Sequence, residues 1–176
     1  MDFFTDAEEK MPPVEFLTGL IRKIPSIDDV HYERLFDRRI FLVAFQDDEK
    51  LNVGFTTYPF KSIAERTTIG KLVIDSPLNI VTSKLFAITD RYDPKDFVDL
   101  YFAIQTYKWK LDELIKMTEE RFDIKGLNHF IPERLLLVRK IDPADLPIML
   151  MEINIEQMKE FFVSQTSDLV KSRKEI

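Results

Sequence analysis

The chain has 176 residues, of which 45% are apolar, and it carries a formal net charge of −6. This length fits one domain, or one domain with a small appendage, and supplies enough apolar residues for a sizeable core. The acidic balance argues against a general nucleic-acid binder, although it leaves room for a local basic pocket. The sequence contains no Cys and only two His, which are far apart, so thiol chemistry and a structural zinc site are excluded.

Further features narrow the class of protein. With only four Gly, the chain has no Gly-rich phosphate-binding loop. It has no apolar run of about 18 residues, so we expect no membrane span. The start, "MDFFTDAEEK", is acidic and lacks the basic and apolar regions of a signal peptide. We therefore expect a cytoplasmic protein.

The first part of the chain predicts one helix followed by a small sheet. Residues 12–24 form an amphipathic pattern with Pro13 in its first turn and Pro25 at its end. From 30 to 60 the sequence is rich in β-branched and aromatic residues. Polar turns divide it into three antiparallel strands, "VHYERLF", "RRIFLVAF" and "KLNVGFTTY". Residues 71–76 predict a fourth, short strand.

The rest of the chain predicts a helical bundle. Ser76 and Asp93 are N-cap candidates, and each is followed by Pro at the first helical position. Asn154 with Gln157 forms a capping box before a long amphipathic helix. Further helices are predicted at 111–122 and 132–140. The fold class is thus α/β (or α+β). A small mixed or antiparallel sheet domain covers residues 1–76, and a C-terminal helical bundle covers 77–176, packed as one unit.

Two cations stand out in the helix predicted at 77–91. Lys84 borders its apolar stripe, and Arg91, seven residues on, lies about 20° away around the helix axis. One interpretation is a pair that binds phosphate, with Lys as a point charge and Arg as a planar fork. The other is a lysine whose stem covers apolar surface while its ammonium reaches water. The spacing by itself favours the second.

The acids that follow also allow two interpretations. Asp96 falls in the first turn of the next helix, where the helix dipole stabilises a carboxylate. Lys95 and Asp99 are spaced i, i+4 and could form a surface ion pair. Alternatively, Asp96 and Asp99 share a helix face and could support a metal or orient a donor. Trp109, close to Tyr107, is interpreted as a packing anchor rather than a base-stacking platform.

The stretch "KLFAITDRYDPKDFVDLYFAI" (84–104) resembles the AbiEii/AbiGii toxin family of nucleotidyltransferases. That family has a Lys followed by Ala and Arg, then a short turn and Arg/Lys-Asp-x-x-Asp-Leu-Tyr. The flanking "VIDSPLNIV" (73–81) and "FTTYPF" (55–60) are similar to the family's neighbouring segments. "LPIMLMEINIEQMKEFF" (146–162) is similar to the closing segment of one subgroup. The resemblance implies nucleotide transfer from a nucleoside triphosphate to an RNA or protein acceptor, with Mg²⁺ and, as a further partner, a cognate antitoxin.

The resemblance also implies roles for individual residues. Asp2 would be the metal ligand, and Lys84 and Arg91 would bind the triphosphate. The catalytic set that it implies is Asp2, Lys84, Asp96 and Asp99.

One part of the family pattern is missing. Family members have a Gly-rich turn and two aspartates before Phe-Phe, whereas this chain opens "MDFFTD" and resembles an N-terminally truncated member. A third carboxylate is expected where Gly54 stands. We therefore expect Asp2 to lie on a loose terminus and the chain to be a poor catalyst or none. The alternative is a non-catalytic interaction module that keeps the fold. We also expect self-association through an exposed sheet edge, because "RIFLVAF" (39–45) is too apolar to face water.

Overall fold

A computed structural model describes residues 1–149 and 151–172, and the chain divides into two compact units. The first unit is Met1–Phe60 and the second begins at Lys61. Residues 150 and 173–176, which the predicted bundle included, lie outside the described residues. None of the described helices is both long and apolar enough to cross a membrane.

The first unit is built on a four-stranded sheet with the order β1-β4-β3-β2. Its strands are β1 (Asp2–Thr5), β2 (Ile27–Leu35), β3 (Arg38–Phe45) and β4 (Lys50–Thr57). The three antiparallel strands predicted between 30 and 60 correspond to β2, β3 and β4 and are confirmed. Helix α1 (Val14–Ile21) is shorter than the predicted 12–24, because Pro13 lies at its N-cap and the chain turns after Arg22.

Strand β1 was not predicted, and it runs parallel to β4. The N–H of Gly54 donates to the Met1 carbonyl at 2.8 Å, and the terminal ammonium donates to the Asn52 carbonyl at 2.7 Å. The expectation of a loose terminus around Asp2 is therefore wrong. Four residues are too few to give a clear alternating pattern, and the pairing depends on a strand about fifty residues away.

The apolar strand β3 is an inner strand, hydrogen-bonded to β2 on one side and to β4 on the other. The expectation that it forms an exposed edge is wrong, because β1 and β2 are the outer strands of this sheet. The residues buried in this unit's core are Leu17, Val30, Phe41 and Val43. Leu17 comes from α1, so the helix covers part of one face of the sheet.

The second unit contains the helical bundle and a two-stranded hairpin. Its helices are α2 (Pro77–Asp90), α3 (Pro94–Tyr107), α4 (Leu111–Phe122), α5 (Leu127–Leu135) and α6 (Ile155–Ser172). Side chains from all five helices meet in one apolar core, in which Leu85, Phe97, Leu114, Ile131 and Phe162 are almost completely buried. The predicted N-caps are present, because Ser76 accepts from the N–H of Asn79 and Asp93 accepts from that of Lys95.

Two elements of this unit differ from the prediction. The short strand, β6 (Leu72–Ile74), pairs with the unpredicted β5 (Thr67–Ile69) in a separate hairpin rather than joining the main sheet. Helix α5 begins at Leu127 instead of 132, so Pro132 lies inside it. The N–H of Leu127 donates to a carboxylate oxygen of Glu119 in α4 at 2.8 Å. That bond joins residues on two different helices, which local sequence does not specify.

Residues 61–76 belong with the helices and not with the sheet, so the boundary lies at 60/61 rather than at 76. Asn79, in the first turn of α2, is completely buried. Its side-chain oxygen accepts from the N–H of Ile63 at 2.9 Å, and its side-chain nitrogen donates to the Ala64 carbonyl at 3.0 Å. One buried amide thus fixes this segment to the helical unit.

Candidate functional site

The charged residues of α2 and α3 come together in one group, which we call the α2/α3 ion cluster: Lys84, Arg91, Asp96 and Asp99. Lys84 lies in α2, and Arg91 is the residue that ends it. Asp93 and Pro94 start α3 only three positions later, so Asp96 and Asp99 fall in its first turns. The tight connection folds the acids back beside the cations.

Asp96 is the centre of this cluster. Its side chain is 1% exposed, and Lys84 Nζ lies 2.9 Å from its Oδ1. Arg91 uses two nitrogens, with Nε 2.9 Å from Oδ2 and Nη2 3.2 Å from Oδ1. Such a forked arrangement is the stronger form of carboxylate–guanidinium contact. Asp96 is also in the first turn of α3, where the helix dipole favours a negative charge.

Asp99 is the outer acid of the cluster. Its Oδ2 lies 2.7 Å from Lys84 Nζ, and its side chain is 52% exposed, compared with 27% for Lys84. Burial alone would lower the pKa of the Lys84 ammonium, but hydrogen bonds and charge attraction from Asp99 and Asp96 outweigh it. The pKa of Lys84 is therefore raised above its ordinary value. Lys84 stays fully charged at neutral pH.

The structure decides between the interpretations of these charges. The predicted surface pair of Lys95 with Asp99 is wrong, because Asp99 contacts Lys84 instead. The interpretation that placed the Lys84 ammonium in water is also wrong, since it lies between two carboxylates. The prediction that Lys84 and Arg91 share a helix face is wrong, because α2 ends at Asp90 and the backbone of Arg91 is extended. Both cations nevertheless contact Asp96.

Asp2, the predicted metal ligand, lies in the sheet unit. In β1 it stands opposite Gly54 of β4, and its Oδ1 accepts from Nη2 of Arg38 at 2.9 Å. Both side chains are about half exposed. A Cβ on Gly54 would lie only 2.4 Å from Asp2 Oδ1, so glycine leaves the space that this carboxylate occupies. Sequence reasoning missed Arg38, since it lies 36 residues from Asp2 and begins a strand that follows a turn.

These residues do not fit a divalent metal. Mg²⁺ is held by several carboxylate oxygens, waters and substrate phosphates. Here Asp2 is held by a cation, and the position expected to carry another carboxylate is Gly54. Over residues 1–149 and 151–172, no group of three or more His, Cys, Asp or Glu side chains could hold a metal ion. The α2/α3 ion cluster does not fit one either, because both its acids already bind Lys84.

Comparisons with known proteins bear on the fold. No family model matches the sequence. The chain is 24% identical, over 178 aligned positions, to the uncharacterized protein aq_aa25 of Aquifex aeolicus (strain VF5), spanning 97% of this chain and 79% of that protein.

Two crystal structures from Helicobacter pylori superpose on 99% of this chain. JHP933 has a TM-score of 0.59 at 16% identity, and 76% of its chain is covered. A "putative nucleotidyltransferase from H. pylori" has a TM-score of 0.54 at 18% identity, with 78% covered. The fold is nucleotidyltransferase-like. The predicted α/β class, which combines small sheets with a helical bundle, is thus confirmed.

Proposed function

We propose that this chain is a nucleotidyltransferase-like protein of the AbiEii/AbiGii toxin type that binds the phosphates of a nucleoside triphosphate at the α2/α3 ion cluster. The observation that carries the proposal is the convergence of Lys84 and Arg91 on one buried acid, Asp96. A nucleotidyltransferase-like fold supports it, because phosphate binding is part of that chemistry. The resemblance of residues 84–101 to the family supports the toxin type.

The geometry gives each residue a distinct part in binding. Asp96 is buried and holds both cations in place, so it is a positioning residue. Arg91 is 53% exposed and uses Nε and Nη2 on Asp96, which leaves Nη1 for an anion. Asp99 occupies the outer side of Lys84. A phosphate group therefore takes the place of Asp99 on Lys84 and adds a contact to Arg91.

A binding assay tests this proposal. We expect nucleoside triphosphates to bind the wild-type chain in titration calorimetry. Lys84→Gln should bind about 10- to 100-fold more weakly, the equivalent of a charge-assisted hydrogen bond of about 1.5–3 kcal/mol. Asp99→Asn should bind more tightly, because it removes the anion that competes with phosphate.

Lys95→Gln is the matched control, since Lys95 lies one residue before Asp96 but outside the cluster. It should bind like the wild type. Thermal melts of each variant separate loss of binding from loss of folding. The proposal fails if a folded Lys84→Gln variant binds like the wild type, or if the wild type binds no nucleotide.

For the transfer step, we propose that the described residues bind nucleotide without catalysing transfer, because Arg38 and Gly54 leave Asp2 unsuited to Mg²⁺. This observation also favours the second candidate function, a non-catalytic interaction module that keeps the fold. A cognate antitoxin or an RNA or protein acceptor would be its partner, in the cytoplasm. The test is incubation with labelled nucleoside triphosphates, Mg²⁺ and total RNA. Label on RNA or protein that disappears in Asp2→Ala would contradict it.

A further inference from the structure

The turn between α3 and α4 places two aromatic residues and two lysines in alternation: Tyr107, Lys108, Trp109 and Lys110. Lys108 ends α3 in the left-handed conformation, with φ of 57°, and Lys110 directly precedes α4. The sharp turn brings the rings of Tyr107 and Trp109 together, with centroids 4.5 Å apart and planes 13° from parallel. The two rings form a stacked pair.

Trp109 is both anchored and accessible. Its indole packs against the core of the helical unit, while Tyr107 is about half exposed. The predicted role of Trp109 as a packing anchor therefore accounts for only some of its contacts. The indole also borders a pocket of about 460 Å³. This volume is within the range of small-molecule sites.

The residues that line the pocket can form both ionic contacts and hydrogen bonds. Lys108 and Lys110 lie on its α3–α4 side, Gln105 comes from α3, and Gln165 comes from α6. Both Gln side chains are partly buried, and their amides can donate and accept hydrogen bonds. Asp112 and Asp168 also line it, so the pocket as a whole carries no excess charge.

We infer that this pocket binds one nucleotide unit of single-stranded RNA. The base stacks on Trp109, the amides of Gln105 and Gln165 hydrogen-bond the base edge, and Lys108 and Lys110 contact the adjoining phosphates. Aromatic stacking combined with basic groups along the backbone is the usual mode of single-strand binding. Because the chain's net charge is −6, a pocket-sized contact fits it better than a broad basic surface.

The inference does not rest on the proposed nucleotide site. Trp109 follows the C-terminal end of α3, whereas Asp96 and Asp99 lie near its start. Ten helical residues separate these ends by about 15 Å. The two sites can therefore be impaired separately.

Trp109 is the chain's sole tryptophan, so its fluorescence reports on this pocket directly. We expect RNA hexamers to quench it saturably, with a Kd of about 10⁻⁴ M or tighter at low salt. Log affinity should fall with log salt at a slope of about −1.4 if both lysines contact phosphates of a single strand. The same titration with a nucleoside monophosphate should need a concentration at least about tenfold higher.

Lys108→Gln with Lys110→Gln should weaken RNA binding by about tenfold or more and bring the salt slope near zero. Lys95→Gln, at the other end of α3, should leave the affinity for RNA and the salt slope unchanged. Trp109→Phe, followed by anisotropy of labelled RNA, should also bind more weakly. The inference is overturned if RNA gives no saturable quenching, if the double Gln variant binds RNA like the wild type, or if the monophosphate binds as tightly as the hexamer.

Discussion

The sheet unit and the helical unit each contain a carboxylate–cation pair at the same distance. The two pairs differ in how far the carboxylate is exposed to solvent. Arg38 Nη2 lies 2.9 Å from Asp2, and Lys84 Nζ lies 2.9 Å from Asp96. The sheet pair is about half exposed on both sides, whereas Asp96 is 1% exposed. The comparison shows that distance alone does not measure the energy of an ion pair.

The physical reason is solvation. Water screens an exposed pair, which contributes about 0–1 kcal/mol. A buried acid has lost its water, so it depends on its protein partners, and removing one of them is costly. The α2/α3 ion cluster should therefore control both folding and binding in the helical unit. The Asp2–Arg38 pair should affect the local position of β1 and have little effect on the stability of the fold. The following predictions test this difference, from the largest effect to the smallest.

The largest effect is expected for Lys84→Met combined with Arg91→Met. This variant leaves Asp96 buried without either cation, so its free energy of unfolding should fall by about 3–5 kcal/mol. Urea unfolding measures the loss. Adding Asp96→Leu should restore much of it, because the charge that needs partners is gone. A triple variant as unstable as the double variant would contradict the prediction.

A smaller, pH-dependent effect is expected for Lys84→Met alone. The pKa of Lys84 is raised in the folded chain, so its contribution is fully present below 10.5, the ordinary value, and is lost as pH rises above it. The wild type should be more stable than the variant by about 1–3 kcal/mol at neutral pH. The gap should narrow at higher pH. Unfolding curves at several pH values check this, and a gap unchanged above 10.5 would refute it.

In the sheet unit, Gly54→Ala should cost about 1 kcal/mol, since its methyl group would displace the Asp2 carboxylate from the Arg38 guanidinium. The displaced group is a side chain, which limits the cost. In an Asp2→Ala background the same substitution should be neutral or slightly stabilising, because alanine restricts the unfolded chain. A double-mutant cycle from urea unfolding measures this coupling. Equal effects in both backgrounds would show that the close approach is unimportant.

The smallest effect is expected for Arg38→Gln. The pair with Asp2 is exposed, so the free energy of unfolding should change by less than about 1 kcal/mol. The change should shrink further at high salt, which screens exposed charges. Thermal melts at low and high salt are the measurement. A loss as large as that of the Lys84 and Arg91 double variant would remove the contrast between the two regions.

Local signals predicted much of the framework. Ser76-Pro77 and Asp93-Pro94 combine an N-cap with the fixed φ of proline, and each marks a helix start within its own few residues. The alternation of β2, β3 and β4 likewise follows from neighbouring residues. Strand β1 and the start of α5 could not be predicted this way. Each depends on a hydrogen-bonding partner outside its own segment.

The functional residues also differ in whether local sequence or tertiary contacts determine their positions and partners. The sequence by itself determined that α3 begins at Asp93-Pro94, which puts Asp96 in its first turn. It did not determine how Arg91 reaches Asp96, because Arg91 lies beyond the end of α2 with an extended backbone. It did not determine the partner of Asp99. Local spacing favoured Lys95, four residues away, but the tertiary structure placed Lys84, fifteen residues away, against it. Packing α3 on α2 buried Asp96, and a buried carboxylate requires the nearest cations, whatever their distance along the chain.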